Sequence, residues 1–545
     1  YWSNRLYVMK MHKFIYKLFL VGIGMACLLQ GCIKNDVGYP QIALSIIAMQ
    51  VEGQKGNAVI SENDRTVTLK LEETVDLRNI QVKSLSVTEG AKSTLSVNDI
   101  IDLTNPYNVT LSLYQDYEWK ILADREIARS YKVQNQVGVS ELNTESKVAV
   151  AYVTNDVKWK DLQVTELKLG PEGSTYNGST DFSSLEWTAY SNYASAEVVV
   201  KYGNFFTENW ELRVYRKDRN AETKQANGWV KVAWLYGEGI EGRENGFEMR
   251  KVSDTEWQKV DQSYISSDGA AFTARVPHLE PETEYVCRAY SGADYGQELT
   301  FKTGKEAVIP NASLDEWSKE TTKSGHLLWK PWAEGVAAGS GFWDTGNKGA
   351  TTISDSNTTP VLDTWDGSTG YAAQLKSAYL AIKFAAGNLF VGEYIRTDGT
   401  DGVLNFGKPF TERPTRLKAH IKYTSVAIDR TNDEFKHLKG QPDSCHIYVA
   451  LGDWDKPVEI RTKKSERKLL DKNDPNIIAY AEFISGKSIP QYTELNLPLE
   501  YRSTSRVPKY LVLVCTASKY GDYFTGGDGS TLWVDDFTLE YDYDN

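Results

Sequence analysis

Val75-Asp-Leu-Arg-Asn-Ile-Gln-Val82, followed by Lys83-Ser-Leu-Ser-Val87, returns further along the chain as Val157-Lys-Trp-Lys-Asp-Leu-Gln-Val164, followed by Thr165-Glu-Leu-Lys-Leu169. The second part of each copy alternates apolar and polar residues, the period of a strand with one buried face. Each copy is preceded by another alternating run, Val67-Thr-Leu-Lys-Leu71 or Val148-Ala-Val-Ala-Tyr152. Each is trailed by an Asp-containing turn segment, Asp102-Leu-Thr-Asn-Pro106 or Asp181-Phe-Ser-Ser184. Each ends in a strand with a tryptophan, Glu118-Trp-Lys-Ile-Leu122 or Asn209-Trp-Glu-Leu-Arg-Val214. The same strand order met twice implies two copies of one small immunoglobulin-like sandwich, placed at 38–135 and 136–218. Trp119 and Trp210 are expected as plugs between the sheets.

The same texture runs through the rest of the chain. Short alternating runs rich in Val, Ile, Thr, Tyr and Trp are punctuated by Asn, Asp and Gly, and long 3.6-period stretches are nearly absent. The expected class is therefore all-β. Residues 219–303 end in Val276-Pro-His-Leu279-Glu-Pro281-Glu-Thr283-Glu-Tyr285-Val-Cys-Arg-Ala289. This resembles the end of a fibronectin type III module. The resemblance implies a tyrosine corner, with the Tyr285 hydroxyl tied to upstream backbone, and Trp234 in the core. The glycine-rich stretch from Gly237 to Gly246 departs from that pattern. Residues 304–310 read as a linker. The remainder, 308–545, is too long for one immunoglobulin module and suits a larger jelly roll with elaborated loops.

At the N-terminus, Tyr1 to Val8 read as upstream translation, with Met9 or Met11 the natural start. Lys10, Lys13 and Lys17 precede an apolar run from Leu18 to Leu29, too short to span a bilayer well. Leu29-Gln30-Gly31-Cys32 resembles the lipobox of bacterial lipoproteins. The resemblance implies removal of residues 1–31 and lipidation of Cys32, with two or three acyl chains anchoring the protein to a membrane. The expected location is the outer membrane, at the cell surface.

The formal net charge is −12. Residues 1–31 hold Arg5 and three lysines and no acid, so the rest of the chain carries −16. Such a balance disfavours nucleic acid as a partner, because affinity for phosphate backbones comes from clustered Lys and Arg. Beyond Cys27 and Cys32 the cysteines are Cys287, Cys445 and Cys515. Cys287 and Cys515 sit in apolar strand patterns, where a free thiol behaves as a small hydrophobe; a Cys445–Cys515 disulfide stays open. Six histidines, without metal-ligand spacing, argue against a His-ligated zinc site.

The last domain opens Ile309-Pro-Asn311-Ala-Ser-Leu314-Asp315-Glu-Trp317 and closes Ser530-Thr-Leu-Trp533-Val-Asp535-Asp536-Phe-Thr-Leu-Glu540. Between them lie Trp329-Lys-Pro-Trp332-Ala-Glu-Gly-Val336 and Phe342-Trp343-Asp-Thr-Gly346-Asn347. Together these resemble the putative carbohydrate metabolism domain found on lipoproteins of Bacteroides-type gut bacteria. That resemblance implies a jelly roll and a surface compartment.

Seven of the fifteen tryptophans fall in this domain. Sugar rings present flat C–H patches that stack on aromatic faces, and their hydroxyls need planar polar partners. Trp329, Trp332, Trp343 and Trp365 lie in polar, glycine-rich surroundings beside Asp344, Asn347, Asp363 and Asp366, as a glycan site in loops would require. Each ring could instead plug the core. Trp317 and Trp533 are expected in the core. Asp315 and Asp536, on the first and last strands, could hold a structural calcium or be ordinary surface carboxylates.

No Gly-x-Ser-x-Gly elbow, phosphate loop or His-rich zinc motif is present. Glycan binding by the jelly roll, for polysaccharide capture or adhesion, is thus the leading reading, with the smaller sandwiches as a stalk. A fimbria-like structural or adhesion component that recognises protein is the second. A glycoside hydrolase or lyase is the third.

Overall fold

A computed structural model describes residues 44–62, 64–113 and 115–543. The expected signal segment and Cys32 lie outside the described residues. The fold is all-β: small sandwiches followed by a larger C-terminal one. Among the described residues no helix is long and apolar enough to cross a membrane. The chain divides into two compact units, one built on the first repeat together with 168–180 and 199–208, the other on the rest of 130–545.

In the first repeat, Ile46–Val51, Ile80–Val87 and Ile100–Ile101 form one sheet. Val59–Ser61, Thr66–Lys70, Asp116–Asp124, Tyr107–Ser112 and Lys92–Ser93 form another, in that order. Alternation turns Val67, Leu69, Trp119 and Ile121 inward. The Trp119 indole N–H donates to the Leu44 carbonyl at 3.0 Å. A parallel pair, Thr66–Lys70 with Asp116–Asp124, marks the repeat.

The second repeat reproduces that pair with Val148–Thr154 and Phe206–Lys217, and Trp210 is buried. A glutamine turn recurs as well. Gln54 accepts from the Val51 N–H and donates to the Gly56 carbonyl; Gln136 does the same with Val133 and Gly138, all four bonds at 3.0 Å. Val133 belongs to the strand Ser130–Val133. The expected boundary between 135 and 136 therefore cuts a turn that the first copy keeps whole.

The third segment packs Glu222–Gly228, Ala233–Glu238, Ala271–Val276 and Ile265–Asp268 against a second sheet containing Asn245–Lys251 and Glu284–Ser291. Tyr285 makes the expected corner, its hydroxyl accepting from the Glu280 N–H at 3.0 Å. Trp234 is not in the core. Ala233 and Leu235 take the inward positions of its strand, so Trp234 points outward and lies 5.9 Å from the buried Trp229.

Nor are residues 304–310 a free linker. Gly304 donates to the Trp229 carbonyl at 2.8 Å, Tyr541 donates to the Ala307 carbonyl at 2.6 Å, and Ile309 is buried in the next core. Trp229 itself donates to the Thr504 carbonyl at 2.9 Å and packs 4.2 Å from the Tyr501 ring. Arg413 donates to the Gly228 carbonyl at 2.7 Å, and Val230 joins the C-terminal core. The stalk reading does not fit the third sandwich, which is docked on the fourth.

The C-terminal sandwich has two sheets. The larger runs Val458–Arg461, Asp401–Phe406, Asn388–Asp398, Tyr510–Thr516, Cys445–Gly452, Ile477–Ser485, Glu500–Tyr501. The smaller runs Thr358–Val361, Ala372–Lys376, Thr531–Glu540, Arg416–Thr424, Ile489–Pro498. Between them Leu417, Ala419, Ile421 and Tyr423 meet Leu389, Ile447, Leu513 and Cys515. Cys287, Cys445 and Cys515 are free and buried. A one-residue bulge interrupts the pairing of Thr531–Glu540 with Arg416–Thr424: Lys418 faces Thr538 but His420 faces Asp535. Asp536 takes φ 51° there, a conformation seldom adopted outside glycine, asparagine and aspartate. The bulge lets Val534 and Phe537 both point into the core.

Candidate functional site

Alternation that turns Ile447 and Leu513 inward turns their neighbours outward. The outer face of the larger sheet thus displays His446, Tyr448, Phe390, Tyr394, Phe406 and Val514. At one end this face is closed by its own apolar cluster, with Trp454, Ile460, Leu469 and Leu470 laid over Ala450 and Val512. At the other end it opens into a recess of about 170 Å³. A cavity of roughly 150 Å³ holds one benzene, so the enclosed part suits a single ring.

The walls come from three connections. The hairpin Ala378–Leu380/Lys383–Ala385 exposes Ile382 at its tip. The helical turn Asn347–Ala350 offers Gly349 and Ala350. The short stretch Gly521–Tyr523 brings Asp522 and Phe524. Phe524 has φ 53°. A bulky residue in the left-handed region is strained, and such strain concentrates at working sites. The Lys383 ammonium lies 3.5 Å from the centre of the Phe524 ring and is held by the Asp401 carboxylate at 2.9 Å.

Charge in the recess is sparse. Asp522 is exposed at the mouth of the recess; the protein packed around its carboxyl pushes it up to about 6, against the pull of Arg467, and the open surface tempers that desolvation. His446 Nε2 is 3.0 Å from Glu482 Oε2, yet burial outweighs that partner and lowers its pKa. Tyr448, two residues beyond His446 on the same strand, has its hydroxyl pKa raised by burial and by the Asp522 charge.

The tryptophans expected in loops are distributed differently. Trp343 is fully buried, its N–H donating to the Pro310 carbonyl at 2.9 Å and its ring 5.0 Å from Phe537. The reason is that Trp343 and Asp344 form a bridge strand on Val391 and Phe390. Trp332 is also buried, and Trp329 is half-buried under the Lys319 ammonium. Buried rings offer no face to a sugar. Asp344 and Asn347 are buried too. Asp344 accepts from the N–H groups of Thr345 and Tyr394, each at 2.8 Å, and from Lys348 at 3.2 Å. Asn347 donates to the carbonyls of Trp329 and Thr358 and accepts from the Thr358 N–H. These two residues brace the recess wall from behind and do not face a ligand.

Trp365 and Asp366 do reach solvent, on the other sheet. There Trp533 also points outward, with the Lys422 ammonium 4.4 Å over its ring, because Leu532 and Val534 occupy the inward positions. Trp317 packs partly against the core as expected.

Asp315 accepts from the Tyr371 N–H at 2.7 Å, and Asp536 lies 3.9 Å from His420. Among the described residues no group of three or more His, Cys, Asp or Glu could hold a metal ion. The calcium expected at Asp315 and Asp536 is not supported by this donor set. Both carboxylates instead bear on Asp535, whose carboxyl is pushed up to about 6 by burial first, then by these neighbours.

Sequence reasoning missed Tyr394, His446, Tyr448, Asp522 and Phe524. A signal existed for two of them: in Cys445-His-Ile-Tyr-Val449 the buried alternation hands His446 and Tyr448 to one outward face.

A larger jelly-roll sandwich with a walled, one-ring recess on its outer face defines the class of domain. Residues 313–540 match the family described as putative carbohydrate metabolism domain, so the chain carries such a domain at its C-terminus. No curated protein matches the chain. Among solved structures, a putative glycoside hydrolase from Bacteroides thetaiotaomicron is similar over 93% of this chain and 99% of its own, at 13% identity and TM-score 0.29. Another from Bacteroides vulgatus is similar over 42% of this chain and 96% of its own, at 20% identity and TM-score 0.33. The SGBP-B of the Bacteroides ovatus mixed-linkage glucan utilization locus, solved with a mixed-linkage heptasaccharide, is similar over 92% of this chain and 100% of its own, at 11% identity and TM-score 0.20.

Proposed function

We propose that the protein is a membrane-anchored surface lipoprotein whose C-terminal sandwich binds glycan in the recess beside Asp522 and Phe524. The family match supports a carbohydrate role for this domain. One observation carries the assignment to the recess: a one-ring pocket with an apolar aromatic floor and a few polar groups at its mouth. Phe524 and Tyr448, both partly open, offer ring faces, while Lys383, His446 and Asp522 can pair with sugar hydroxyls. Lipidation at Cys32 would hold the chain at the outer membrane, facing outward. The domain order proposed is 1–31, 38 to about 129, about 130–218, 219–303 and 308–545.

Binding is favoured over hydrolysis for a chemical reason. Glycosidic hydrolysis ordinarily uses two carboxylates about 5–10 Å apart. Asp522 is the single carboxylate among the residues lining the recess.

The test is isothermal titration of the full chain with a panel of mono- and oligosaccharides, alongside Phe524→Ala. Heat with at least one sugar, weakened tenfold or more by the substitution at unchanged melting temperature, is the expected result. A folded chain giving no heat across the panel would sink the reading. Reducing-sugar release from a polysaccharide panel would transfer it to the enzyme class.

A further inference from the structure

The outer face of the smaller sheet carries a second feature. The connection between Thr358–Val361 and Ala372–Lys376 folds back over the strands and is pinned to them along its length. The Trp365 backbone N–H donates to Asp535 Oδ2 at 3.0 Å. The Lys422 ammonium sits on the Asp363 carboxylate, and the Tyr492 hydroxyl donates to the Asp363 carbonyl at 2.7 Å. Asp366 accepts from the Ser368 N–H at 2.9 Å, and the Tyr371 N–H donates to Asp315 at 2.7 Å.

On this fixed loop the Trp365 indole lies flat on the His420 imidazole, with ring centres 3.7 Å apart and planes inclined by 4°. One face of the indole is therefore occupied by protein. The residue nevertheless remains 42% exposed. A large apolar ring held open to water is unfavourable by about 25 cal/mol for each Å² of apolar surface left uncovered. Held rigid, it loses little further conformational freedom when a ligand covers it.

We propose that Trp365 is a second sugar platform, stacking an internal ring of a neutral polysaccharide on the outer face opposite the recess. Three features define that ligand. Trp365 is exposed and lies outside the enclosed recess, so a ring with chain continuing on both sides fits it. Asp366, next in the chain, and Tyr371, on the same connection, are exposed and supply a carboxylate and a phenol for ring hydroxyls. The surrounding carboxylates, Asp315, Asp363, Asp366 and Asp536, repel an anionic polymer, while the nearby lysine, Lys422, is engaged by Asp363. Because the two sites lie on opposite faces of one sandwich, the domain can hold two chain segments at once. The proposal rests on the carbohydrate reading of the domain but not on the recess.

The experiment is native electrophoresis of the full chain through gels cast with hydroxyethyl cellulose, xylan, galactomannan or pullulan, with polygalacturonate as the acidic comparison. Retardation on at least one neutral polymer is expected. Trp365→Ala should weaken it tenfold or more at unchanged melting temperature, and Trp365→Phe should restore part of it. Phe524→Ala should leave the Trp365-dependent part in place. The proposal is overturned if no neutral polymer retards the chain. It is equally overturned if Trp365→Ala migrates like the parent on every polymer, or if the Trp365-dependent retardation is confined to polygalacturonate. Oligosaccharide heat lost in Phe524→Ala, with polymer retardation unaffected by Trp365→Ala, would keep the recess and discard the platform. The converse pattern would keep the platform and discard the recess.

Discussion

The two outer faces of the C-terminal sandwich start from the same rule and end differently. In both sheets every second residue is committed to the shared core, and the residues between them are free to vary. On the larger sheet the free positions are aromatic, and a hairpin, a helical turn and the 521–524 stretch wall them into a recess. On the smaller sheet the free positions are mostly polar, as in Lys418, His420, Lys422 and Asp535, and one loop lies across them. A wall made of separate connections encloses a ring; a single strap presents one. The architecture fixes where a ligand can sit, and the connections decide how it is held.

The harshest way to break this comparison is to remove what the faces share. Trp343→Ala empties a fully buried site beneath the larger sheet. It should cost about 3–5 kcal/mol, read as a fall in the denaturant midpoint, and weaken both faces together. Loss of binding on one face alone in Trp343→Ala, with the other face at parental affinity, would show that the faces do not depend on a common core.

Next in size, Phe524→Ala and Trp365→Ala should each lower affinity about tenfold on its own face and leave the other within twofold. Equal losses on both ligands from either variant would mean one continuous site.

A smaller effect should appear with pH. Asp522 and Asp535 are both pushed up to about 6 in the folded chain, so the folded state keeps protons that the unfolded state releases. Their stabilising contribution is complete below the ordinary carboxylate range near 4 and is lost as pH rises through about 6. Asp535→Asn should therefore gain on the parent as pH rises from 4.5 to 7.5, by about 1–3 kcal/mol. Asp522→Asn should move the same way. A pH-independent gap, measured by urea unfolding at the two pH values, would contradict these raised values. Smallest of all, Lys422→Ala removes a pair with the exposed Asp363 and should change stability by less than about 1 kcal/mol. A larger loss of Trp365-dependent retardation than of stability would show that the strap's position matters more than its energy.

Much of the architecture was legible because strand alternation is a local signal. The two repeats, the inward Trp119 and Trp210 and the Tyr285 corner all follow from short stretches. Side-chain parity also assigns Trp533 and Trp234 to outward positions once their inward neighbours are counted; reading them as core ignored that count. Trp343 misled for another reason. Its polar, glycine-rich neighbours resemble a loop, but two residues suffice for a bridge strand, and the partners Val391 and Phe390 are distant in sequence. The recess was illegible in the same way. Tyr394 and His446 lie on separate strands and Asp522 on a connection, and they meet only because the sheet order brings those strands together.

The Trp229 plug also has a mechanical and practical side. With Trp229 seated against Tyr501 and Thr504 and Val230 built into the neighbouring core, the third sandwich serves as the cork of the fourth. A fragment cut at 308 would be an uncorked bottle, with a raw socket around Tyr501 that invites aggregation. A fragment cut at 219 keeps the stopper in. In the intact protein, a pull on the C-terminal sandwich would meet a welded joint at this point rather than a hinge.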